Sequence, residues 1–359
     1  MSDKLQMIKD YREKDALNQS FLKKVLINDT RPEETGGTKP HFAKGNLVDC
    51  LITTPELIDE IYYISSIPKY PTEAIKEIVD KVYESTALAD YDSFDAFQLK
   101  DYGSLILELS YEYQSNWKWE TKLKKIIEEG YDYWNELIVS RTRTIIPQDY
   151  YWQCQKVATS LLTHPFTKHY FEEDMFRKIK YQEPIYWTYQ DVVEGWQYNC
   201  KGLLDMLVFD EANMTVQIID IKTTGEHLSS WKRNVARKYN YAFQLSFYYY
   251  GIMKLFPEYR QLNPLLLVEN IDYPGKPRIF ELTLEDLYVG QYGAERQKST
   301  IIYDRDNLGN QLNVDFEVDR ICGWTEAIEI LHQSKQLGLT DYDISYFHNQ
   351  GKSNLNLFL

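Results

Sequence analysis

The chain has 359 residues, of which 43% are hydrophobic and 15% aromatic, with 30 tyrosines. That is enough for a sizeable core in one large domain or two modest ones, and it excludes a disordered chain. The formal net charge of −14, from 54 acidic and 40 basic side chains, counts against a nucleic-acid partner unless a local basic groove lies within an acidic exterior.

The start, "MSDKLQMIKDYREKD", is polar and mixed in charge and is no signal peptide. Residues 1–28 read as helical, with Asn18 or Ser20 as a cap. Residues 29–40, "DTRPEETGGTKP", are a loop by their Pro and Gly content. A helix begins with "HFAKGNLVDCLI", and Thr54-Pro55-Glu56 suits another helix start. Further helices are predicted over 72–86, 92–100, 115–139 and 147–162. The pattern changes after His164: "EPIYWTY", "GLLDMLVFD" and "VQIIDIKTT" read as strands, the last two joined by a tight turn at "DEANM". One helix over 229–256, strands at "NPLLLVEN" and "RIFELTL", a helix at "GWTEAIEILHQSKQLGL" and the tail "GKSNLNLFL" complete the chain. The tail is a packed or frayed terminus or a docking peptide. This order predicts an α+β or α/β core with a helical N-terminal cap.

No run of about 18 apolar residues occurs, so no membrane partner is expected, and a cytoplasmic location is. Cys50, Cys154, Cys200 and Cys322 stand far apart without a CxxC pair, and the six histidines show no ligand spacing. Neither an iron–sulfur cluster nor a zinc site has support, and the cysteines read as buried thiols.

The chemistry is concentrated in two strands. Asp205 ends "KGLLD", Asp220 follows 15 residues later, and Lys222 two residues after that. Side chains at i and i+2 of a strand share a face, so Asp220 and Lys222 point one way and Ile219 and Ile221 the other. A hairpin bringing Asp205 beside Asp220 would gather two carboxylates and an ammonium. An isolated Asp-x-Lys is usually no more than a salt bridge at a sheet margin. Two crowded carboxylates, though, repel unless a hard cation such as Mg²⁺ joins them. A cation there could polarise a phosphoryl oxygen while the lysine orients water or balances charge.

The segment "GLLDMLVFDEANMTVQIIDIKTTGE" resembles the core of the PD-(D/E)xK nuclease superfamily, and "QLSFY", with Gln244 and Tyr248, resembles the QxxxY signature of its RecB-like branch. "EPIYWTYQDVVEGWQYNCKGLLD", "KGNLVDCLITTPE" and "THPFTKHYF" are similar to the RecE-like, exodeoxyribonuclease VIII-type phage exonucleases, and the resemblance spans roughly residues 15 to 260. It implies a restriction-endonuclease-like α/β core, a mixed central sheet flanked by helices, with a helical N-terminal region. The corresponding divisions are 1–165, with the first core helix at about 41–52, then 166–300 for the nuclease core and 301–359 for a C-terminal helix and tail, packed as one compact domain.

By the same resemblance, Glu183, Asp205 and Asp220 hold Mg²⁺ (Mn²⁺ may substitute) with the backbone carbonyl of Ile221, and Lys222 is the catalytic lysine. Gln244 touches the lysine, the metal shell or DNA. Tyr248 shares its helix face, with core packing equally open. Asp49 stands where the family's first helix carries a histidine, and is either a further oxygen ligand or a solvated residue. Thr223, Thr224, Lys232, Arg233, Arg237 and Tyr248 are candidate DNA contacts, with Arg141 and Arg143 as an extension of the groove. The implied activity is Mg²⁺-dependent 5′-to-3′ resection of duplex DNA ends in phage or prophage recombination, by a ring-like trimer or tetramer with a single-strand annealing protein as partner. The alternatives are a single-strand- or nick-directed nuclease of the Cas4-like branch and a catalytically inert DNA-binding or virion-associated protein.

Overall fold

A computed structural model describes residues 2–26, 40–67, 70–86, 98–236, 238–303 and 312–338. In chain order the elements are helices α1 (Asp3–Glu13), α2 (Gln19–Leu26), α3 (Pro40–Thr53) and α4 (Ile58–Ile61), strand β1 (Tyr62–Ser65), helices α5 (Glu73–Thr86), α6 (Gly103–Leu109) and α7 (Trp119–Val139), strand β2 (Thr144–Pro147) and helix α8 (Gln148–Thr163). There follow β3 (Arg177–Gln190), β4 (Gln197–Asp210), β5 (Thr215–Thr224), α9 (Leu228–Trp231), α10 (Tyr241–Leu255), β6 (Arg260–Gln261), β7 (Leu265–Asn270), β8 (Arg278–Glu281), α11 (Leu284–Tyr292), β9 (Ala294–Tyr303), β10 (Leu312–Ile321) and α12 (Trp324–Gln336). Among the described residues no helix is long and apolar enough to cross a membrane.

The chain forms two compact units, Met1–Thr54 with Lys156–Leu359, and Pro55–Gln155. The second unit is helical, with a parallel β1–β2 pair. Its core joins Ile75, Ile78, Val79 and Val82 of α5 to Ile126 and Trp134 of α7. Gly130 allows the two helices to approach, since a Cβ there would lie 2.8 Å from Val79.

The first unit is a mixed α/β structure. Its six-stranded sheet runs β3-β4-β5-β7-β8, with β6 paired to β5. β3, β4 and β5 form an antiparallel meander, β5 and β7 are parallel, and β8 is antiparallel to β7. The parallel β5–β7 step needs a crossover, which α10 supplies. α10 buries Phe243, Leu245, Phe247 and Ile252 with Trp187, Leu207, Phe209, Ile218 and Val268 of the sheet. Two glycines permit this close approach. A Cβ on Gly202 of β4 would lie 2.9 Å from the Tyr248 ring, and one on Gly251 of α10 would lie 2.8 Å from the Trp187 ring.

The strands expected after His164 are present; β3, β4 and β5 are longer than the apolar runs suggest, and β7 and β8 are shorter. The expected helix over 1–28 is two helices. Leu17 between them takes strand-like bonds, its amide to Asn199 (2.9 Å) and its carbonyl from the Lys201 amide (2.8 Å). The Lys201 ammonium meets the carbonyls of Tyr11 (2.8 Å) and Arg12 (3.1 Å) at the end of α1, where cations favour the helix dipole. Asn18 caps α2, accepting from the Phe21 amide at 2.8 Å. The helix expected over 229–256 is also broken. Asn240 takes a left-handed conformation (φ 47°) and its side chain accepts from Phe243 N, restarting the helix as α10; asparagine tolerates both roles. Thr54-Pro55-Glu56 starts only a short helical turn before β1. The expected loop over 29–40 and helix over 92–100 lie mostly outside the described residues, and the tail lies wholly outside them.

Candidate active site

The β4–β5 ladder stops at Met206–Ile219, so the backbone amide of Ile221 has no β4 carbonyl to pair with. Asp205 Oδ2 accepts that amide instead, at 2.9 Å. A carboxylate thus stands in for a ladder bond where β4 and β5 part. One step along β5, Lys222 Nζ lies 2.5 Å from Asp220 Oδ2 and 4.0 Å from Asp205 Oδ2. It also donates to the Ile221 carbonyl at 3.3 Å and stands 5.5 Å from the Tyr241 ring. From α10, Gln244 Nε2 donates to Asp220 Oδ1 at 3.0 Å. Asp205, Asp220 and Lys222, expected together from the hairpin and the i, i+2 spacing, lie together, and Gln244, singled out only by the QxxxY resemblance, joins them.

Two further side chains complete the cluster. Gln182 of β3 adopts φ 44°, uncommon for a residue with a Cβ. Its Nε2 donates to Asp49 Oδ2 of α3 at 2.7 Å, and its side chain also bonds Asp205. The Asp49 carbonyl accepts from Thr53 Oγ1 (2.8 Å), while its Oδ1 is buried without a hydrogen-bond partner. α3 lies close to β5 because residue 45 is glycine, whose Cβ would stand 3.3 Å from Thr223 Oγ1.

Burial and mutual repulsion dominate the electrostatics. Burial, then the Asp220 charge, pushes the Asp205 carboxyl up to about 7, with Lys222, the Ile221 amide and Gln182 opposing. Burial and the Asp205 and Asp220 charges raise Asp49 well above the carboxylate range, against Lys222 and the Thr53 bond. For Lys222, burial alone would lower the ammonium pKa, but the Asp220 and Asp205 charges overcome this and raise it. Lys23 of α2 belongs to the same field. Burial, then repulsion by Lys222, lowers it to about 8, with Asp220 opposing.

The remaining expected residues are placed as follows. Glu183 turns to Lys180, with Oε1 3.1 Å from its Nζ, and Gln182 occupies the carboxylate cluster beside it. Alternation from the buried Ile185 and Trp187 projects Glu183 inward. The left-handed step at Gln182 shifts the phase of the strand by one residue, and such a shift exchanges the two faces. Tyr248 is buried against Gly202. Burial, then Tyr11, Asp220 and Asp205, raises its phenol well above the ordinary range, and a bond with Gln244 opposes. Thr224 Oγ1 accepts from the Glu226 amide at 3.0 Å. Lys232 is exposed beside a cavity of about 820 Å³ lined by Trp231, Tyr241 and Phe280. The side chain of Arg233, and Arg237 altogether, lie outside the described residues. Arg141 and Arg143 belong to the second unit, where Arg143 donates to the Asp59 carbonyl at 3.3 Å and faces the Tyr63 ring.

The donor chemistry suits a hard divalent cation. The buried Asp220 charge adds to that of the half-buried Asp49 and Asp205, the carboxyl pKa values of Asp49 and Asp205 are raised, and Asp49 Oδ1 has no hydrogen-bond partner. Among the described residues, though, no group of three or more His, Cys, Asp or Glu side chains is arranged to hold an ion in common. The Lys222 ammonium lies between Asp220 and Asp205 in that space.

No family model matches this chain, and no curated protein matches it. Among solved structures, one similar chain is a "putative exonuclease" from Eubacterium rectale, 12% identical, with a TM-score of 0.28, covering 65% of this chain and 77% of that one. Another is SSO0001, 13% identical, with a TM-score of 0.22, covering 60% of this chain and 79% of that one.

Proposed function

We propose that this protein is a metal-dependent deoxyribonuclease with a PD-(D/E)xK core, hydrolysing phosphodiester bonds at the Asp205–Asp220–Lys222 centre. The observation that carries this reading is a lysine ammonium held between the buried carboxylate of Asp220 and the half-buried carboxylate of Asp205, where β4 and β5 part. A purely structural ion pair does not need the second carboxylate, whose burial beside Asp220 raises its pKa and costs stability.

In this reading Asp205, Asp220 and Asp49 would hold Mg²⁺ or Mn²⁺. The bound cation would supply Lewis acidity toward the phosphoryl oxygen and acidify a water. The protein residues have separate tasks. Gln244 fixes Asp220 by its 3.0 Å bond and leaves the other carboxylate oxygen to Lys222. Lys222 turns its ammonium from the carboxylates toward the phosphate and balances the added negative charge as the water oxygen bonds to phosphorus. The ester oxygen departs with the bonding pair and takes a proton, and the proton lost by the water passes to solvent or a site carboxylate. Gln182 holds Asp49 and Asp205 apart with an amide where a carboxylate would add repulsion.

By resemblance, the finer reading is RecE-like 5′-to-3′ resection of duplex ends by a cytoplasmic ring-like oligomer working with an annealing protein. The Glu183–Lys180 pair favours a second reading, a DNA-binding protein of the same fold that does not hydrolyse. Digestion of duplexes labelled at the 5′ or the 3′ end, with Mg²⁺ and with chelator, separates the two. Ordered loss of the 5′ label in Mg²⁺ alone is expected. Retention of both labels alongside tight binding would establish the inert reading.

A further inference from the structure

α2 brings a second ammonium to the same centre. Lys23 Nζ donates to the Tyr239 carbonyl at 2.7 Å and stands 5.8 Å from the Phe243 ring. The first turn of α10 therefore organises both lysines: Tyr241 faces Lys222, Phe243 faces Lys23, and Gln244 bonds Asp220. The left-handed Asn240 sets the direction of this turn and follows the residue whose carbonyl holds Lys23. An ammonium has three N–H donors, and the hydrogen bond to the Tyr239 carbonyl uses one. Lys23 is partly exposed, and its charge and that of Lys222 repel each other. Asp220, the nearby acid that acts on Lys23, is already bonded to Lys222 and Gln244. Two like charges held together beside a partly open site are relieved by an incoming anion.

The geometry points to Lys23 as a phosphate-binding residue of this site, contacting a backbone phosphate of the nucleic-acid substrate next to the one engaged by Lys222. This assignment rests on the nuclease reading and adds the helix that would line the substrate path. The competing role is a structural tie between α2 and the Tyr239 carbonyl. The two differ in salt dependence, because each phosphate neutralised by a side chain releases counterions and adds roughly 0.7 to 0.9 to the slope of log affinity against log salt.

The test compares full-length wild type, Lys23→Ala, Lys23→Gln and Lys23→Arg. It measures binding to a fluorescent oligonucleotide in Ca²⁺ from about 50 to 200 mM salt, together with steady-state hydrolysis in Mg²⁺ and thermal melts. The expected result is a slope shallower by about one in Lys23→Ala and Lys23→Gln, a several-fold rise in KM with a smaller change in kcat, and recovery of both by Lys23→Arg. Unchanged slope and KM in Lys23→Gln, whatever its melting temperature, would overturn the assignment and leave the structural tie. Wild type that neither binds nor cleaves the oligonucleotide would overturn the nuclease reading and this assignment together. Binding without cleavage would overturn only the hydrolytic part.

Discussion

Asp205 and Gln182 show how far single residues could be read from the sequence. Asp205, Asp220 and Lys222 were legible because strand alternation and a short turn leave little freedom about which side chains meet. Gln182 was not, because it depends on one left-handed residue within an extended strand, and no composition or periodicity signals that step. Asp49 was legible only as a candidate, since its partner is that same glutamine. Asp205 also gives a sign-definite prediction. Its pKa is raised from the ordinary value of about 4 to about 7 in the fold. Its contribution to stability is therefore complete below pH ~4 and is lost as pH rises through about 7. In chelator, Asp205→Asn should melt higher than wild type at pH 8.5, by a few degrees, and this advantage should vanish at pH 4.5. An asparagine oxygen can still accept the Ile221 amide. An equal difference at both pH values would mean that the charge of Asp205 is not what is strained.

Elements succeed or fail in the reading according to where their stability originates. The long amphipathic α7 and the apolar strands β4 and β5 carry their own periodicity, so the sequence predicts them. The break before α10 depends on a cap, and the single extended residue at Leu17 depends on an edge of β3–β4 that lies far away in sequence. Both arise from tertiary pairing, which local pattern does not contain. Packing of α10 on the sheet requires the absence of two Cβ atoms. Gly251→Ala should destabilise by about 1–3 kcal/mol in denaturant unfolding, although alanine in a helix interior ordinarily gains up to ~1 kcal/mol over glycine. The overlap with the Trp187 ring decides the sign. A stabilised Gly251→Ala protein would show that the ring shifts without cost.

At the scale of the whole molecule, a net charge of −14 does not favour a polyanionic substrate. Attraction must therefore be local, from Lys222, Lys23 and bound cations, against a repulsive exterior screened by salt. Mg²⁺ should stabilise the folded protein by linkage, roughly 1.4 kcal/mol for each tenfold excess over its dissociation constant. At pH 8 the melting temperature should rise with Mg²⁺ in wild type and barely move in Asp205→Asn. Equal shifts in both would place the ion elsewhere. The central claim is that Lys222 acts together with the paired aspartates on a phosphodiester, and the release of acid-soluble nucleotides from linear duplex DNA by wild type and Lys222→Ala measures it most directly. Mg²⁺-dependent release by wild type is expected, abolished by chelator, with a loss of about a thousandfold or more in Lys222→Ala, because groups acting as a unit fail together. Equal release by the two proteins, or none by wild type in Mg²⁺ or Mn²⁺, would contradict it.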